Sequence, residues 1–229
     1  MQPSKRCCIF VDGENFRYGI LRLFPEFNQA EYLPKKAQWA DLFDEWTKQA
    51  CPGGERVRAY WYVIEHLDFS PRNPPKGENL TEAQKVQAAD RDRMRRRFDG
   101  WRFVQDSIAL RHAGVEFRRA GAITYRLADK TFGKEKAVDV KLACDLLMLR
   151  DIYDVAVIVS GDQDYVPAVQ FAKDAGKRVV NVAFEERNGQ LYPGGARRLN
   201  QITDESIRVS HESLARFLGI RRRRTVSLT

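Results

Sequence analysis

Long hydrophobic runs are missing from this sequence. No stretch of about 18 residues is apolar and free of charge, the length a helix needs to cross a bilayer, so neither a transmembrane helix nor a membrane partner is expected. The N-terminus, MQPSKRCCIFVDGEN, turns acidic after five apolar residues, too few for the core of a signal peptide. Cysteine is scarce. Cys7, Cys8, Cys51 and Cys144 contain no CxxC pair, which argues against a disulfide framework or a zinc site. Cys7 and Cys8, adjacent in an apolar run, read as buried thiols. A reducing, cytoplasmic setting follows. The three histidines, His66, His112 and His211, fall in unrelated contexts and form no cluster for a metal or a general base. There is no GxxxxGK[ST] loop, and no GxGxxG follows the first apolar run. Nucleotide hydrolysis and dinucleotide chemistry lose support accordingly. No internal repeat is present.

What the sequence does contain is enough apolar material for a core: 43% of 229 residues. It also contains an excess of basic groups, 39 Lys and Arg against 31 Asp and Glu, for a net charge of +8. An imbalance of that size points to a polyanionic partner. Short apolar runs lie at residues 7–11, 57–63, 155–159 and 178–184; the runs CCIFV, VAVIV and VVNVAF are nearly continuous and rich in β-branched side chains, the pattern of central parallel strands buried on both faces. Residues 115–127 read as a strand followed by a bent strand or hairpin, with Gly121 in the middle. Helical patterns lie between, at 36–49, 81–112 (bent or broken near Asp99-Gly100), 138–150 and 166–175, and Asn15 is a candidate N-cap for a helix over 16–24. The alternation predicts a doubly wound α/β sheet. We expect one domain over residues 1–200, then a C-terminal helix and a loose basic tail over 201–229 ending RRRRTVSLT.

The informative feature is where the aspartates fall. Asp12 ends the first run, and Asp162 and Asp164 follow the run at 155–159. In open α/β sheets ligands bind outside the carboxyl ends of the strands, so two predicted strands deliver carboxylates to that edge. A third acid comes from KAVDVKLACDLL. At 100° per residue the apolar side chains span roughly 20–200° from Val138, and Asp139 lies near 100°, in the middle of that arc. A carboxylate on an apolar face needs a cation, a donor or water. Asp145 falls near 340°, at the arc's edge and about 40° from Lys141, a helix-edge pair as readily as a metal ligand. Converging acids can stay ionised together only with cations between them, and hard oxygen donors suit Mg²⁺ or Mn²⁺. Bland readings stand beside these. Asp12 starts a turn with Gly13, Asp164 caps the helix containing Pro167, and Lys136, one turn before Asp139, is either a solvated lysine or a phosphate contact.

The blocks Val11-Asp12-Gly13-Glu14-Asn15, Lys136-Ala137-Val138-Asp139 and Ser160-Gly161-Asp162-Gln163-Asp164-Tyr165 resemble, in order and spacing, the NYN domain family, and look closest to its LabA-like branch. The resemblance covers roughly residues 5–190. It implies a three-layer α/β/α, Rossmann-like (PIN-like) domain with a central, mainly parallel sheet. It further implies a metal-dependent endoribonuclease using Mg²⁺ or Mn²⁺ at Asp12, Asp139, Asp162 and Asp164, with Asn15 beside them and Asp145 as an additional acid. Tyr165 stands where the family more often has Phe, and residues 66–102 form a longer stretch than a minimal domain requires. The implied partner is RNA, single-stranded or structured. The alternative is a non-catalytic RNA-binding module with a vestigial acidic pocket. A phosphoryl-acceptor domain is a further rival, weakened because no Lys closes the fourth or fifth strand. For the substrate backbone the candidates are Arg93, Arg96 and Arg97, within a run of five arginines at 91–97, against the reading of a solvated charged helix. The sequence leaves a homodimer open.

Overall fold

The computed structural model describes residues 4–25, 27, 32–71, 81–185, 189–191 and 196–220. The basic cluster at 221–224 lies outside the described residues. Seven strands form one sheet in the order β4-β3-β2-β1-β5-β6-β7. They are β1 (Arg6–Asp12), β2 (Glu55–Ser70), β3 (Val115–Arg126), β4 (Thr131–Phe132), β5 (Val155–Val159), β6 (Arg178–Phe184) and β7 (Glu205–Val209). All neighbouring pairs run parallel except β3 with β4. The helices are α1 (Gly13–Leu23), α2 (Trp39–Ala50), α3 (Glu82–Arg111), α4 (Val138–Met148), α5 (Val166–Asp174), α6 (Ala196–Ile202) and α7 (His211–Leu218).

Alternation along β1 divides the interior in two. Cys7, Ile9 and Val11 face a core built with α1, α2 and α7, around Phe16, Trp39, Trp46, Trp61 and Leu214. Cys8 and Phe10 face a second core with α4, α5 and α6, around Tyr62, Leu142, Leu146, Val169 and Leu199. This is the expected three-layer α/β/α arrangement. Strands buried on both faces have no polar side to present, which is why β1, β5 and β6 are continuous apolar runs. All four cysteines are free, and burial pushes the Cys7 thiol up to about 12 and the Cys8 thiol up to about 11.

Four differences from the sequence expectation matter for the site. First, β3 is one continuous strand rather than a hairpin. Its bend is at Gly121, which takes φ +65 and lies so close to the Lys136 carbonyl that a Cβ would sit 1.8 Å from that oxygen. Second, α3 is unbroken through Asp99-Gly100. Third, β2 runs well beyond β1. Its register with β1 ends at Asp12↔Tyr62, while pairing with β3 continues to Ser70↔Arg126. The eight residues 63–70 carry β2 and β3 roughly 26 Å past the carboxyl end of β1. A small separate core of Phe69, Met94, Tyr125 and Leu127 packs this arm against α3. Fourth, residue 200 does not end the packed body. β7 pairs with β6 along the sheet edge, and Ile207, Val209, Leu214, Phe217 and Leu218 are buried in the first core.

Candidate active site

Connectivity reverses beside β1. β1, β2 and β3 extend the sheet one way, and β5, β6 and β7 extend it the other. The crevice between the carboxyl ends of β1 and β5 is therefore the topological switch point, where doubly wound sheets bind ligands. Asp12 ends β1 on one side of it, and Ser160-Gly161-Asp162 leaves β5 on the other. Gly13 is required at this turn because a Cβ there would lie 2.3 Å from the Tyr62 carbonyl oxygen.

Asp12, and not Asn15, is the N-cap of α1. Its Oδ1 accepts the Asn15 N–H at 3.1 Å. Its Oδ2 accepts the Ser160 hydroxyl at 2.9 Å and the Tyr165 hydroxyl at 3.4 Å. Asn15 sits one turn into the helix, and its Oδ1 accepts the Gly161 N–H at 3.0 Å, tying the two loops of the crevice together. The Ser160 oxygen also accepts the Asp162 N–H, and Asp162 in turn accepts the Asp164 N–H at 2.9 Å, capping the 3-10 turn Gln163–Tyr165 that leads into α5. The capping expected of Asp164 thus belongs to Asp162, and Asp164 is exposed. Asp139 comes from the first turn of α4 and accepts the Tyr165 hydroxyl on Oδ1 at 3.1 Å. The backbone before it is held unusually. Lys136 bridges to Ala122 through two backbone hydrogen bonds, and Ala137 takes φ 74, a left-handed conformation that costs a non-glycine residue about 1 kcal/mol.

The structure thus brings Asp12, Asp139 and Asp162 into one electrostatic group, with Asp164 acting on Asp139. Burial pushes the Asp12 carboxyl up to about 7, with the Asp139 and Asp162 carboxylates adding to the rise. Asp139 is raised by burial and by Asp162 and Asp164. Two further acids that sequence reasoning missed belong here. Glu135 is pushed up to about 8 by burial, then by Asp12, Glu14 and Asp139. Glu14 is raised by burial, against the nearby Arg17 guanidinium. Ser160 and Tyr165 were missed as well. Glu14, Ser160 and Tyr165 stand within the motif blocks, Tyr165 also as a departure from Phe, whereas Glu135 lies outside them. Burial keeps its phenol protonated, and Asp12 and Asp139 reinforce that, so it serves as a donor.

Other expected site residues lie apart. Asp145 is buried within α4, where Arg118 (2.5 Å), Lys141 (2.9 Å) and the Tyr62 hydroxyl (3.1 Å) hold it. These cations hold its carboxyl below the usual range despite burial. It is the Lys141 partner, and not an extra acid of the crevice. Lys136 is exposed. Arg93 is ion-paired with the buried Asp90 at 2.9 Å, and Arg97 lies over the Trp101 ring at 5.4 Å. Arg96 is exposed on α3. These three therefore sit on the arm helix rather than in the acid group.

The donor set suits a hard divalent cation. Among the described residues none of Asp12, Asp139, Asp162 and Asp164 is ion-paired, and neighbouring carboxylates add to the raised proton affinity of Asp12 and Asp139. As the side chains stand, however, no three His, Cys, Asp or Glu groups among the described residues converge tightly enough to hold a metal. The Tyr165 hydroxyl takes up the space between Asp12 and Asp139 instead.

The profile of the NYN domain matches residues 6–193, which includes every acid of the crevice. A crystal structure of a protein of unknown function from Vibrio parahaemolyticus is similar at 18% identity over 91% of this chain and 96% of that one. Its TM-score of 0.47 is too low to carry an argument about the site. No curated protein matches the chain.

Proposed function

The chain belongs to the NYN domain family, and from that premise we propose that it is a metal-dependent endoribonuclease of the LabA-like branch, acting at the crevice between β1 and β5. The observation that carries this reading is the gathering of Asp12, Asp139 and Asp162 at the switch point without a basic partner; burial, with the neighbouring carboxylates adding, raises Asp12 to about 7. Asp12, Asp139, Asp162 and Asp164 would hold Mg²⁺ or Mn²⁺. When bound there, the ion supplies charge neutralisation at the scissile phosphate and activation of water. The protein's own part is positioning. Ser160 and the Asn15 N–H fix the Asp12 carboxylate, the Asn15–Gly161 bond fixes the two crevice loops relative to each other, and Tyr165 keeps its proton and donates to Asp139. Four free thiols agree with a reducing, cytoplasmic setting.

One observation favours a second reading, an RNA-binding module without turnover. It is the absence, among the described residues, of three side chains already converged for a metal. End-labelled RNA incubated with wild type and Asp162→Asn in Mg²⁺, Mn²⁺ or EDTA separates the two. Metal-dependent fragments from wild type alone support the nuclease. Salt-dependent binding without fragments in any ion supports the module.

A further inference from the structure

We propose that the arm built from the distal parts of β2 and β3, from β4 and from α3 as far as Arg102 is a second binding site, a phosphate-binding wall for the RNA backbone outside the acidic crevice. The proposal rests on the RNA reading above and names where most of the affinity for that RNA resides.

The first support is position. β2 is hydrogen-bonded to β1, whose last residue is Asp12, and then continues roughly 26 Å beyond it. The arm therefore rises from the edge of the sheet that carries the acids. The Lys136–Ala122 bridge joins its base to the segment leading into Asp139. Tyr32, whose carbonyl accepts the Arg17 guanidinium of α1 at 3.2 Å and whose ring stacks on Trp101 of α3 at 5.1 Å, joins α3 to the helix that Asp12 caps.

The second support is charge. Residues 81–136 hold 14 Lys and Arg against 8 Asp and Glu, a net +6, or +4 once Glu65 and Asp68 on the distal part of β2 are counted. Residues 1–80 balance at 11 against 11, and residues 137–220 hold 10 against 12. Apart from the arginines at 221–224, the basic excess of the protein is therefore concentrated in the arm and its approach. An acidic crevice repels phosphodiesters, so a polyanion needs cations next to it in order to be held there.

The third support is stiffness. Asp90 is buried and pairs with both Lys130 (2.9 Å) and Arg93 (2.9 Å), pinning α3 to the loop before β4. Thr81 and Gln84 form a reciprocal capping box at the start of α3. The guanidinium groups of Arg91 and Arg95 lie over the Phe69 ring at 5.1 and 5.7 Å. Stacking occupies a guanidinium face and leaves its in-plane N–H groups suited to phosphate oxygens. The Arg91 Nε is a buried donor without an acceptor among the described residues. Arg96 and Arg102 are exposed on the same helix.

The test combines Arg95→Gln, Arg96→Gln and Arg102→Gln in an Asp12→Asn background. Anisotropy of labelled oligouridylate is followed in EDTA across a salt series. We expect the slope of log K against log salt to fall by about 2, near 0.7 per lost phosphate contact, with affinity at low salt weakened on the order of ten- to a hundredfold. The control, Lys5→Ala with Lys48→Ala and Arg150→Ala, removes the same charge at the amino-terminal end of the strands and leaves both quantities unchanged. Equal losses in the two triple variants, or no loss in either, overturn the proposal. So does competition by polyglutamate as effective as competition by RNA. Arg96→Glu alone, an exposed change, repeats the measurement if circular dichroism shows the triple variant unfolded, with a loss of about fivefold or more expected. Arm-dependent binding without cleavage by wild type removes the nuclease reading and keeps the arm. Cleavage with arm-independent binding removes the arm alone.

Discussion

Asp139 and Asp145 lie six residues apart on one helix, and their surroundings are opposite. Asp139 faces Asp162 and Asp164, with a phenol as its hydrogen-bond donor, and its affinity for protons is raised. Asp145 faces Arg118 and Lys141, with the Tyr62 hydroxyl beside them, and its affinity is lowered. Arg118 also lies over the Tyr60 ring, 4.0 Å from its centroid, so this region is an ion-paired cluster between β2, β3 and α4 with Lys141 at its exposed rim. The two acids show that residue type and helix position say little about role. A carboxylate matched by cations holds the fold together. Carboxylates left facing one another store electrostatic cost, and that is found where a ligand is meant to relieve it.

The contrast is broken most strongly at Asp12. Asp12→Asn should reduce metal-dependent RNA cleavage to background, at least about 10³-fold, with the folded spectrum retained. Retained cleavage in nuclease-free preparations would remove the acid group from the chemistry. At the other pole, Asp145→Asn leaves Arg118 and Lys141 without their shared partner and should cost about 3 kcal/mol in chemical denaturation. RNA affinity should not change with it, and a loss confined to cleavage would assign Asp145 to the site after all.

Titration sharpens the same comparison. The Asp12 carboxyl lies near 4 when unfolded and about 7 when folded, so the native state binds the extra proton. In chelator, stability should therefore be greatest below pH 4 as far as this group is concerned. It should fall as pH rises from about 4 through 7, by on the order of 4 kcal/mol. Asp12→Asn or saturating Mn²⁺ should flatten the decline. Asp145, whose carboxyl is lowered, contributes with the opposite sign, its stabilisation being lost on acidification. Tyr165→Phe is a smaller perturbation. Removing the hydroxyl that stands between Asp12 and Asp139 frees both carboxylates and should tighten Mn²⁺ binding, followed by electron paramagnetic resonance, about tenfold. The smallest change is expected at the exposed Arg6–Asp154 pair, where Asp154→Asn should cost less than about 1 kcal/mol.

Much of this was legible in the sequence. The continuous apolar runs at β1, β5 and β6 announced strands covered on both faces, and aspartates directly after two of them announced the crevice. The helical arc at 138–149 was read less well. The sequence placed the buried face of α4 at roughly 20–200°, with Asp139 at its centre and Asp145 at its edge. The structure buries Val138, Leu142, Asp145 and Leu146 and leaves Val140 and Met148 exposed. The helix is turned so that Asp145 points inward and Asp139 sits at the margin. Hydrophobicity alone would place them otherwise, but Arg118, 27 residues earlier on β3, offers Asp145 a partner that local periodicity cannot see. The strand β7 was missed for a related reason, although the helix after it was expected. β7 is a short half-buried edge strand in a polar stretch, and it is specified by its register with β6 rather than by its own pattern.

The sequence by itself determined that this is an α/β protein with aspartates at the ends of two central strands, because burial on both faces and the strand-end position are local properties. Only the tertiary structure decided which carboxylates meet. It set Asp12, Asp139 and Asp162 together with Glu14 and Glu135, put Tyr165 between two of them, and gave Asp145 to Arg118. It also raised the basic helix on an arm beside the crevice. Those outcomes depend on sheet order, on the length of β2 beyond β1 and on the rotation of α4, and each is fixed by contacts between residues far apart in the chain.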